Sequence, residues 1–538
     1  MMIEFPTCKL LNISYCPATE KVISVEKSLV VVAYNPLGWY QTDFVRIPVN
    51  DDKLAVRDSD GNYIATQLVE VDNITSSLRR LYVEAYLGVS PKETPKVLLT
   101  AVFFGVNPVA HSEYTSSYAT MENETIEIGP GPFKLQFSST SGQLKRITNH
   151  RTGVDIPINQ SFLWYEASSG DAADGQASGA YIFRPDGAPP VPSSSSVPLK
   201  VIQGPLVDEV HQQFNSWIYQ VIRVYKEKEH AEIEFTIGPI PTDDGTGKEV
   251  ITRLMTNMVT NSTFYTDSNG RDFLKRVRDY RADWNLQVTQ PVSGNYYPLN
   301  LGIYSTDGKS ELSVLVDRAV GGSSIKDGEI EIMLHRRLLY DDSRGVAEAL
   351  DEQVCVNYAC EGLTDEESWK SSHVMNATTM DHGYNLPPNV AIITLQDLHD
   401  GSVLLRLAHL YEAGEDVLNS RLSNVDLKKV FAGKTIRSIE RTGKISLEDF
   451  MMHLPCIIYQ TWYNCISINI RCYYLQIKEL RETNLSANQD KSGMKTKKWR
   501  VADDPGSSSA PIRGRPVDNT TLVVELGPME IRTFLLKF

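Results

Sequence analysis

The sequence contains no apolar run of about 18 residues or more, the length that a membrane-spanning helix needs, so we expect no such helix. Basic residues are in deficit, because 53 Lys and Arg stand against 67 Asp and Glu, which gives a net charge of -14. That balance argues against nucleic acid or an anionic membrane as the main partner. The N-terminus also lacks the basic region and the apolar region of a signal peptide, so the sequence predicts none.

Cysteine is scarce, with seven residues in a chain of 538. Cys8 and Cys16 are close enough in the sequence to form a disulfide around a short loop, and so are Cys355 and Cys360. The other cysteines would leave one thiol unpaired, and buried free cysteines in a cytosolic protein are the alternative interpretation. These three are Cys456, Cys465 and Cys472.

Eight Asn-X-Ser/Thr sequons favour a secretory-pathway protein, which we expect in the vacuole, in the lysosome or outside the cell. The lack of a legible signal peptide is consistent with that location if the natural chain begins upstream of Met1. The candidate glycosylation sites are Asn12, Asn73, Asn123, Asn159, Asn261, Asn376, Asn484 and Asn519.

Strand patterns dominate the chain and predict an all-β fold of antiparallel β-sandwich domains. Leu29–Ala33 is a β-branched run, and Leu81–Tyr86 alternates between apolar and polar residues. Ile218–Tyr225 and Ala231–Ile237 predict a hairpin. We predict an N-terminal linker at 1–24, a small β-sandwich at 25–111, a large β-sandwich at 112–385 and a C-terminal β-sandwich at 386–538.

The segment 441–481 differs in composition from both of its flanks. It holds three of the seven cysteines and a cluster of tyrosine and tryptophan residues. A hydrophobic helix or a partner-binding element is one interpretation. The other interpretation is an insertion that is not native to the fold, such as a translated intron, and such an insertion would expose an apolar patch between two strands.

The block Asp317–Gly345 is rich in charged residues around one alternating segment, Ile330–His335, which predicts a half-buried strand. Arg336 and Arg337 follow at its end, and alternation along a strand directs only one of them inward. Asp341, Asp342 and Arg344 come next, and we expect them to form an ion network that fixes the turn.

This block closely resembles the C-terminal half of glycoside hydrolase family 38, the zinc-dependent α-mannosidases, and most of all their acid, lysosomal or vacuolar branch. The resemblance covers most of the chain, but it stops at Ile439-Glu440 and resumes near Thr483, so we favour the interpretation of 441–481 as a non-native insertion. It includes the cysteine-bounded loop Cys8–Cys16 and the segments Asn35–Trp39 and Gly527–Phe534. It implies a large sandwich of the galactose-mutarotase type.

The resemblance also implies retaining hydrolysis of terminal non-reducing α-D-mannose residues by two carboxylic acids, assisted by a zinc ion. In the family, these groups belong to an N-terminal catalytic domain with His-X-Asp motifs. The ten histidines of this chain include none in such a motif. We therefore expect no catalytic residue and no metal ligand here, and a chain that is inactive without that catalytic domain.

Three residues are candidates for the rim of a mannose site by the same resemblance. Tyr181 lies in Ser178–Pro185, which is similar to the segment that lends a tyrosine to substrate binding in the family. Arg336 and Arg337 lie in the strand that contributes a rim arginine. The expected partners are mannose-containing N-glycans or oligosaccharides. A non-catalytic carbohydrate-binding protein, an accessory subunit or a pseudoenzyme is the alternative function.

Overall fold

The computed structural model describes residues 124–352 almost completely and separate segments on both sides of them. The described residues are 29–34, 41–49, 54–58, 62–70, 79–87, 99–106, 117–118, 124–171, 175–352, 376–377, 380–381, 383–398, 402–432, 477, 479–494, 512–517 and 520–537. All seven cysteines lie outside these residues, and so does most of the segment 441–481, where only 477 and 479–481 are described.

The described residues form 31 strands, one four-residue α-helix and two short 3-10 helices, which confirms the predicted all-β class. The first strands in chain order are β1 Leu29–Tyr34, β2 Gln41–Val49, β3 Leu54–Arg57, β4 Thr66–Glu70, β5 Arg79–Leu87 and β6 Leu99–Val106. The strands that follow, up to residue 237, are β7 Ser117–Tyr118, β8 Thr125–Ile128, β9 Phe133–Ser138, β10 Leu144–Asn149, β11 Val154–Glu166, β12 Val191–Pro192, β13 Leu199–Gln203, β14 Val207–Asn215, β15 Ile218–Tyr225 and β16 Ala231–Ile237.

The next strands are β17 Lys248–Thr256, β18 Thr263–Ser268, β19 Asp272–Val277, β20 Tyr297–Leu299, β21 Gly302–Thr306, β22 Glu311–Leu315, β23 Val320–Ser323 and β24 Glu329–Arg337. The last are β25 Asn376–Ala377, β26 Val390–Asp397, β27 Val403–His409, β28 Ser423–Asp426, β29 Glu479–Thr483, β30 Val523–Leu526 and β31 Ile531–Lys537. The helix α1 is Leu427–Val430, and the 3-10 helices are Ser293–Asn295 and Lys491–Gly493. No helix among the described residues is long and apolar enough to span a membrane.

The chain divides into two compact units, residues 1–113 with 358–538, and residues 114–357. In the first unit, β25 pairs with β6, and β29 pairs with β31, so 479–481 belong to a paired strand. A core of aliphatic and aromatic side chains lies between β26, β27, β28, β30 and β31. The domain limits drawn from the sequence stay predictions.

The second unit contains three antiparallel sheets that share one apolar core. The largest sheet has the order β20-β23-β24-β17-β11-β10-β9-β8, a second has the order β16-β15-β14-β13-β7, and the third has the order β19-β18-β21-β22. Phe137, Ile222 and Phe264 come from these three sheets in turn and are all fully buried in the common core. Alternation explains the arrangement, because β9 buries every second residue along its length.

The hairpin of β18 and β19 is attached to its neighbour by one buried carboxylate. Asp267 Oδ1 accepts hydrogen bonds from the backbone N–H groups of Asn300, Leu301 and Gly302, each at 2.9 Å. Its Oδ2 accepts from Gly270 N–H at 2.8 Å. Burial raises the pKa of Asp267, but the four N–H donors outweigh burial and hold it below its usual value.

We predict that Asp267→Asn lowers the thermal unfolding midpoint, because an amide leaves some of these N–H groups without an acceptor, at about 1–3 kcal/mol each. The lowered pKa means that the charged form stabilises the fold above the ordinary Asp pKa of about 3.9, and that this contribution is lost as the pH falls through the lower folded value. The difference in unfolding midpoint between Asp267→Asn and wild type should therefore become smaller at acidic pH. Thermal scanning at several pH values measures it. Asp272→Asn on the exposed face of β19 is the control, and an equal loss in both variants would contradict the prediction.

Candidate functional site

The predicted rim residues Tyr181 and Arg336 lie in two segments that the structure brings together. We call residues 176–185, which follow β11, the tyrosine loop. Asp342, beyond the end of β24, accepts hydrogen bonds on Oδ2 from the backbone N–H groups of Tyr181 at 2.6 Å and Ile182 at 2.9 Å. Arg336 Nη2 donates to the Ile182 carbonyl at 2.7 Å. The backbone of Tyr181 and Ile182 is therefore held by two side chains, Asp342 and Arg336.

The side chain of Tyr181 is 65% exposed. Among the residues that the structure describes, none forms a hydrogen bond with its phenol. The exposed ring offers an apolar face, and the hydroxyl can both donate and accept. These are the two kinds of contact that a neutral sugar uses.

A β-bulge places Arg336 on its face of the sheet. Between β17 and β24, Val250 pairs with His335 and Ile251 pairs with Met333, so that Leu334 is an extra residue. Arg336 consequently lies opposite Glu249, on the same face as Met333. Strict alternation from Ile330 would have put Arg336 on the opposite face.

The guanidinium of Arg336 is held by Glu249. Its Nε and Nη2 donate to Glu249 Oε1 at 2.8 Å and 2.5 Å, and Ser178 Oγ donates to the same oxygen at 2.8 Å. Glu249 is fully buried. Burial raises the pKa of this carboxyl, and the positive charge of Arg336 opposes the rise. The Arg336 side chain keeps 19% of its surface exposed, and its Nη1 has no partner among the described residues.

Arg337 is engaged elsewhere. Its Nη1 donates to the Ile240 carbonyl at 2.5 Å and its Nε donates to the Asp351 carbonyl at 3.2 Å. Both partners are backbone oxygens of connecting segments. Of the two adjacent arginines, Arg336 is the one that contacts the tyrosine loop.

The expected ion network of Asp341, Asp342 and Arg344 is instead a set of hydrogen bonds. Asp342 receives the two N–H groups of the tyrosine loop as well as Arg344 N–H on Oδ1, at 3.0 Å. Asp341 Oδ2 accepts from Ser343 N–H at 2.8 Å. The guanidinium of Arg344 donates to the side-chain oxygen of Gln176. These side chains fix the turn, as predicted, but through backbone amides and a neutral amide partner.

A second buried carboxylate lies farther along the same face of the sheet. Glu331 accepts hydrogen bonds on Oε1 from the hydroxyls of Tyr165 and Tyr296, at 2.9 Å and 2.6 Å. Its Oε2 accepts from Arg253 Nε at 3.0 Å and Nη2 at 2.7 Å. Burial, followed by the charge of Glu331, raises the pKa of Tyr165 and Tyr296, so both hydroxyls stay protonated donors.

The tyrosine loop packs onto this second cluster through one aromatic ring. Phe183 contacts Tyr296 and Tyr165 edge-on, with ring centroids 4.7 Å and 5.8 Å apart. Leu163, Ile251 and Met333 lie around them. The loop thus combines an apolar anchor at Phe183 with the polar anchors at Ser178 and Ile182.

Sequence reasoning missed Glu249, Ser178 and Glu331 as parts of this site. One signal was present, because β17 reads Lys-Glu-Val-Ile-Thr-Arg-Leu-Met-Thr and combines an apolar run with Glu249 and Arg253. Charged residues in a strand that is buried on both faces need partners. The partners themselves lie 78 and 87 residues away in the sequence.

The described residues contain no group of three or more His, Cys, Asp or Glu side chains that could hold a metal ion. The described side chains therefore do not form a zinc site, and no chemical step in this chain is assigned to zinc. The expectation that this chain binds no metal stays a prediction.

Three of the eight predicted glycosylation sites have described side chains. Asn261 is exposed, with a backbone φ of 51°, and its N–H donates to Asp327 at 2.9 Å. Asn159 lies in the middle of β11 and donates to Gln143 Oε1 at 3.1 Å. Asn484 donates to Asn488 at 2.5 Å in a turn. The side chain of Asn376 in β25 and the residues Asn12, Asn73, Asn123 and Asn519 lie outside the described part.

We predict that Gly179→Ala loosens the tyrosine loop. A Cβ atom at Gly179 would lie 2.5 Å from Asp342 N and 2.6 Å from Asp342 Cβ, too close for any side chain. The loop must then move away from Asp342, and amide hydrogen exchange of Tyr181 and Ile182 should become faster. Gly493→Ala is the control, since the nearest atom to its Cβ would be 3.9 Å away. Unchanged exchange in Gly179→Ala would show that the loop does not depend on this contact.

Comparison with known proteins identifies the family. The sequence model described as "Glycosyl hydrolases family 38 C-terminal domain" matches residues 128–344, which include the tyrosine loop and β24. An alpha-mannosidase of Canavalia ensiformis is 52% identical over 99% of this chain and 55% of its own length. The lysosomal alpha-mannosidases of Homo sapiens and Bos taurus are 34% and 35% identical over 99% of this chain and 51% and 50% of their lengths. The chain spans about half the length of these curated relatives. It belongs to glycosyl hydrolase family 38, whose C-terminal domain it contains.

Proposed function

We propose that this chain forms part of an α-mannosidase that hydrolyses terminal non-reducing α-D-mannose residues, and that it supplies part of the sugar-binding rim. The observation that carries the proposal is the joint position of Tyr181 and Arg336. One guanidinium nitrogen of Arg336 binds the carbonyl next to Tyr181, while Nη1 has no partner among the described residues. Family membership supports the reaction class.

The chemistry of the two groups suits a hexose. An exposed tyrosine ring can pack on the apolar face of a sugar ring, and its hydroxyl can bond a sugar hydroxyl. The guanidinium is permanently charged and is oriented by Glu249 before any sugar arrives, so little rotamer freedom is lost on binding. Substrates of this class are mannose-containing N-glycans or oligosaccharides.

The catalytic carboxylates and the zinc ion belong, in this proposal, to a catalytic domain of the family's N-terminal type, which is the partner of this chain. We expect that the purified chain releases no mannose from an aryl α-mannoside, with or without added zinc. Zinc-dependent turnover by this chain alone would contradict that expectation. Mannoside binding by the chain, without activity when it is joined to a catalytic domain, would favour a carbohydrate-binding or accessory protein.

We predict that the two arginines differ in their effect on turnover. The full chain is fused to the part of the Canavalia ensiformis relative that lies outside the alignment, and hydrolysis of an aryl α-mannoside is measured. Arg336→Lys should lower kcat/KM by about 10-fold or more, because a hydrogen bond to a charged group contributes about 1.5–3 kcal/mol and each 1.4 kcal/mol is tenfold. Tyr181→Phe should lower kcat/KM by about 3-fold or more, because the phenol makes a neutral hydrogen bond of about 0.5–1.5 kcal/mol. Arg337→Lys is the neighbouring control and should change kcat/KM little.

The outcome that would contradict the rim assignment is equal loss in Arg336→Lys and Arg337→Lys, or no loss in Tyr181→Phe. Tyr280→Phe controls for exposed tyrosines, since its side chain is 57% exposed. If neither the wild-type fusion nor any of its variants is active, the alternative function, an accessory protein, is favoured.

We also propose a vacuolar or lysosomal location, supported by the lysosomal alpha-mannosidases among the relatives. We predict that the chain, expressed through a eukaryotic secretory pathway, carries a glycan at Asn261 and none at Asn159. Asn261 lies exposed in a turn, whereas a glycan at Asn159 would break its bond to Gln143 within a central strand. Peptide mass spectrometry after enzymatic deglycosylation measures both sites, with Asn261→Gln as the control. A glycan at Asn159 with Asn261 unmodified would contradict the prediction.

A further inference from the structure

The carboxylate of Glu249 uses its two oxygens very unequally. Oε1 accepts hydrogen bonds from Ser178 Oγ and from both Nε and Nη2 of Arg336, all within 2.8 Å. Oε2 is buried and has no hydrogen-bond partner among the residues that the structure describes. An unpaired buried oxygen of this kind is unfavourable. The reason for a glutamate at this position must therefore lie in the hydrogen bonds that Oε1 accepts.

Oε1 connects to the tyrosine loop at three positions that surround Tyr181. Ser178 Oγ, which donates to Glu249, also accepts the N–H of Arg184 at 2.8 Å. Arg336, the other donor to Glu249, binds the carbonyl of Ile182 at 2.7 Å. Removing the charge at Glu249 would therefore weaken the hydrogen bonds through which Ser178 and Arg336 hold the tyrosine loop.

Stability alone does not require a charged pair at this place. Buried ion pairs are frequently replaced by apolar side chains without loss of stability, because desolvation offsets much of the Coulomb attraction. The next residues along β17, Val250 and Ile251, show that apolar side chains pack well in this strand. What only a carboxylate provides is a fixed direction for the guanidinium of Arg336.

We propose that Glu249 is a positioning residue for the sugar-binding rim, which fixes the guanidinium of Arg336 and the backbone on both sides of Tyr181 without contacting the sugar. The inference rests on the proposed function and deepens it. The ligand class is the neutral α-mannoside for which Tyr181 and Arg336 supply the contacts.

The test uses kinetics of the full chain in the same fusion, with an aryl α-mannoside as the probe. Glu249→Gln keeps the size of the side chain and one acceptor oxygen but removes the charge. It should raise KM by about 10-fold while kcat changes by less than about twofold, since binding of ground state and transition state is lost alike. Combined with Tyr181→Phe, the effect should be clearly smaller than the product of the single effects, because both changes act through one rim.

Glu331→Gln is the matched control. Glu331 is an equally buried carboxylate on the same face of the sheet, and it binds Arg253 and two tyrosines rather than the backbone of the tyrosine loop. Its effect on thermal stability should be at least as large as that of Glu249→Gln, and its effect on KM should be smaller, because the tyrosine loop packs on this cluster through the apolar ring of Phe183 rather than through a polar bond. Ser178→Ala provides an uncharged second variant if Glu249→Gln does not fold, with a KM rise of about 3-fold expected for one neutral hydrogen bond.

The outcomes separate the two proposals. If Tyr181→Phe leaves KM unchanged, the rim assignment itself is wrong. If Tyr181→Phe raises KM while Glu249→Gln and Ser178→Ala do not, only the positioning role is wrong. Full multiplicativity of Glu249→Gln with Tyr181→Phe would also overturn the positioning role, because it would show that Glu249 acts through stability alone.

Discussion

The ion pair between Glu249 and Arg336 is the interaction on which the surface around Tyr181 depends. It joins β17 to β24, and through Ser178 and Ile182 it joins both strands to the tyrosine loop. The pair exists because the bulge at Leu334 rotates the end of β24 by one residue. Without that extra residue, the side chain opposite Glu249 would be His335. The bulge between β17 and β24 therefore determines which cation contacts the buried carboxylate.

The regular part of the fold could be predicted from the sequence because it depends on local patterns. The limits of β15 and β16 are those predicted, Ile218–Tyr225 and Ala231–Ile237, since apolar runs of this length between polar turns have few other solutions. The bulge could not be predicted in this way. Met333 is an apolar residue where alternation expects a polar one, but this single departure does not locate an extra residue, and alternation places Arg336 on the face of Ile330 and Ile332. The face on which Arg336 lies is determined by packing against β17, which is far from β24 in the sequence.

The site could be predicted only where a resemblance supplied the roles. Tyr181 and the two arginines became candidates through their likeness to family 38, and the comparisons confirm the family but do not test these residues. The physics of the single sequence could not distinguish Arg336 from Arg337. Nor could it identify Asp342 as the acceptor for the N–H of Tyr181, because the two residues are 161 positions apart. Long-range pairing of this kind is typical of antiparallel sandwiches, in which sheet partners come from distant parts of the chain.

Under the proposed sugar-binding role, the arrangement would also account for the charged groups that are buried in this sheet. A sugar is bound through several hydrogen bonds that are individually weak after solvent exchange, so a sugar-binding protein gains affinity mainly by holding its donors in place beforehand. A loop fixed only by apolar contacts, such as that of Phe183, can slide by fractions of an ångström at little cost. A loop whose backbone groups bind Asp342 and Arg336, with Arg336 itself bound to a fully buried Glu249, has far less freedom. In the proposed function, the unfavourable burial of the carboxylate would be accompanied by a rim that needs little rearrangement when a sugar binds.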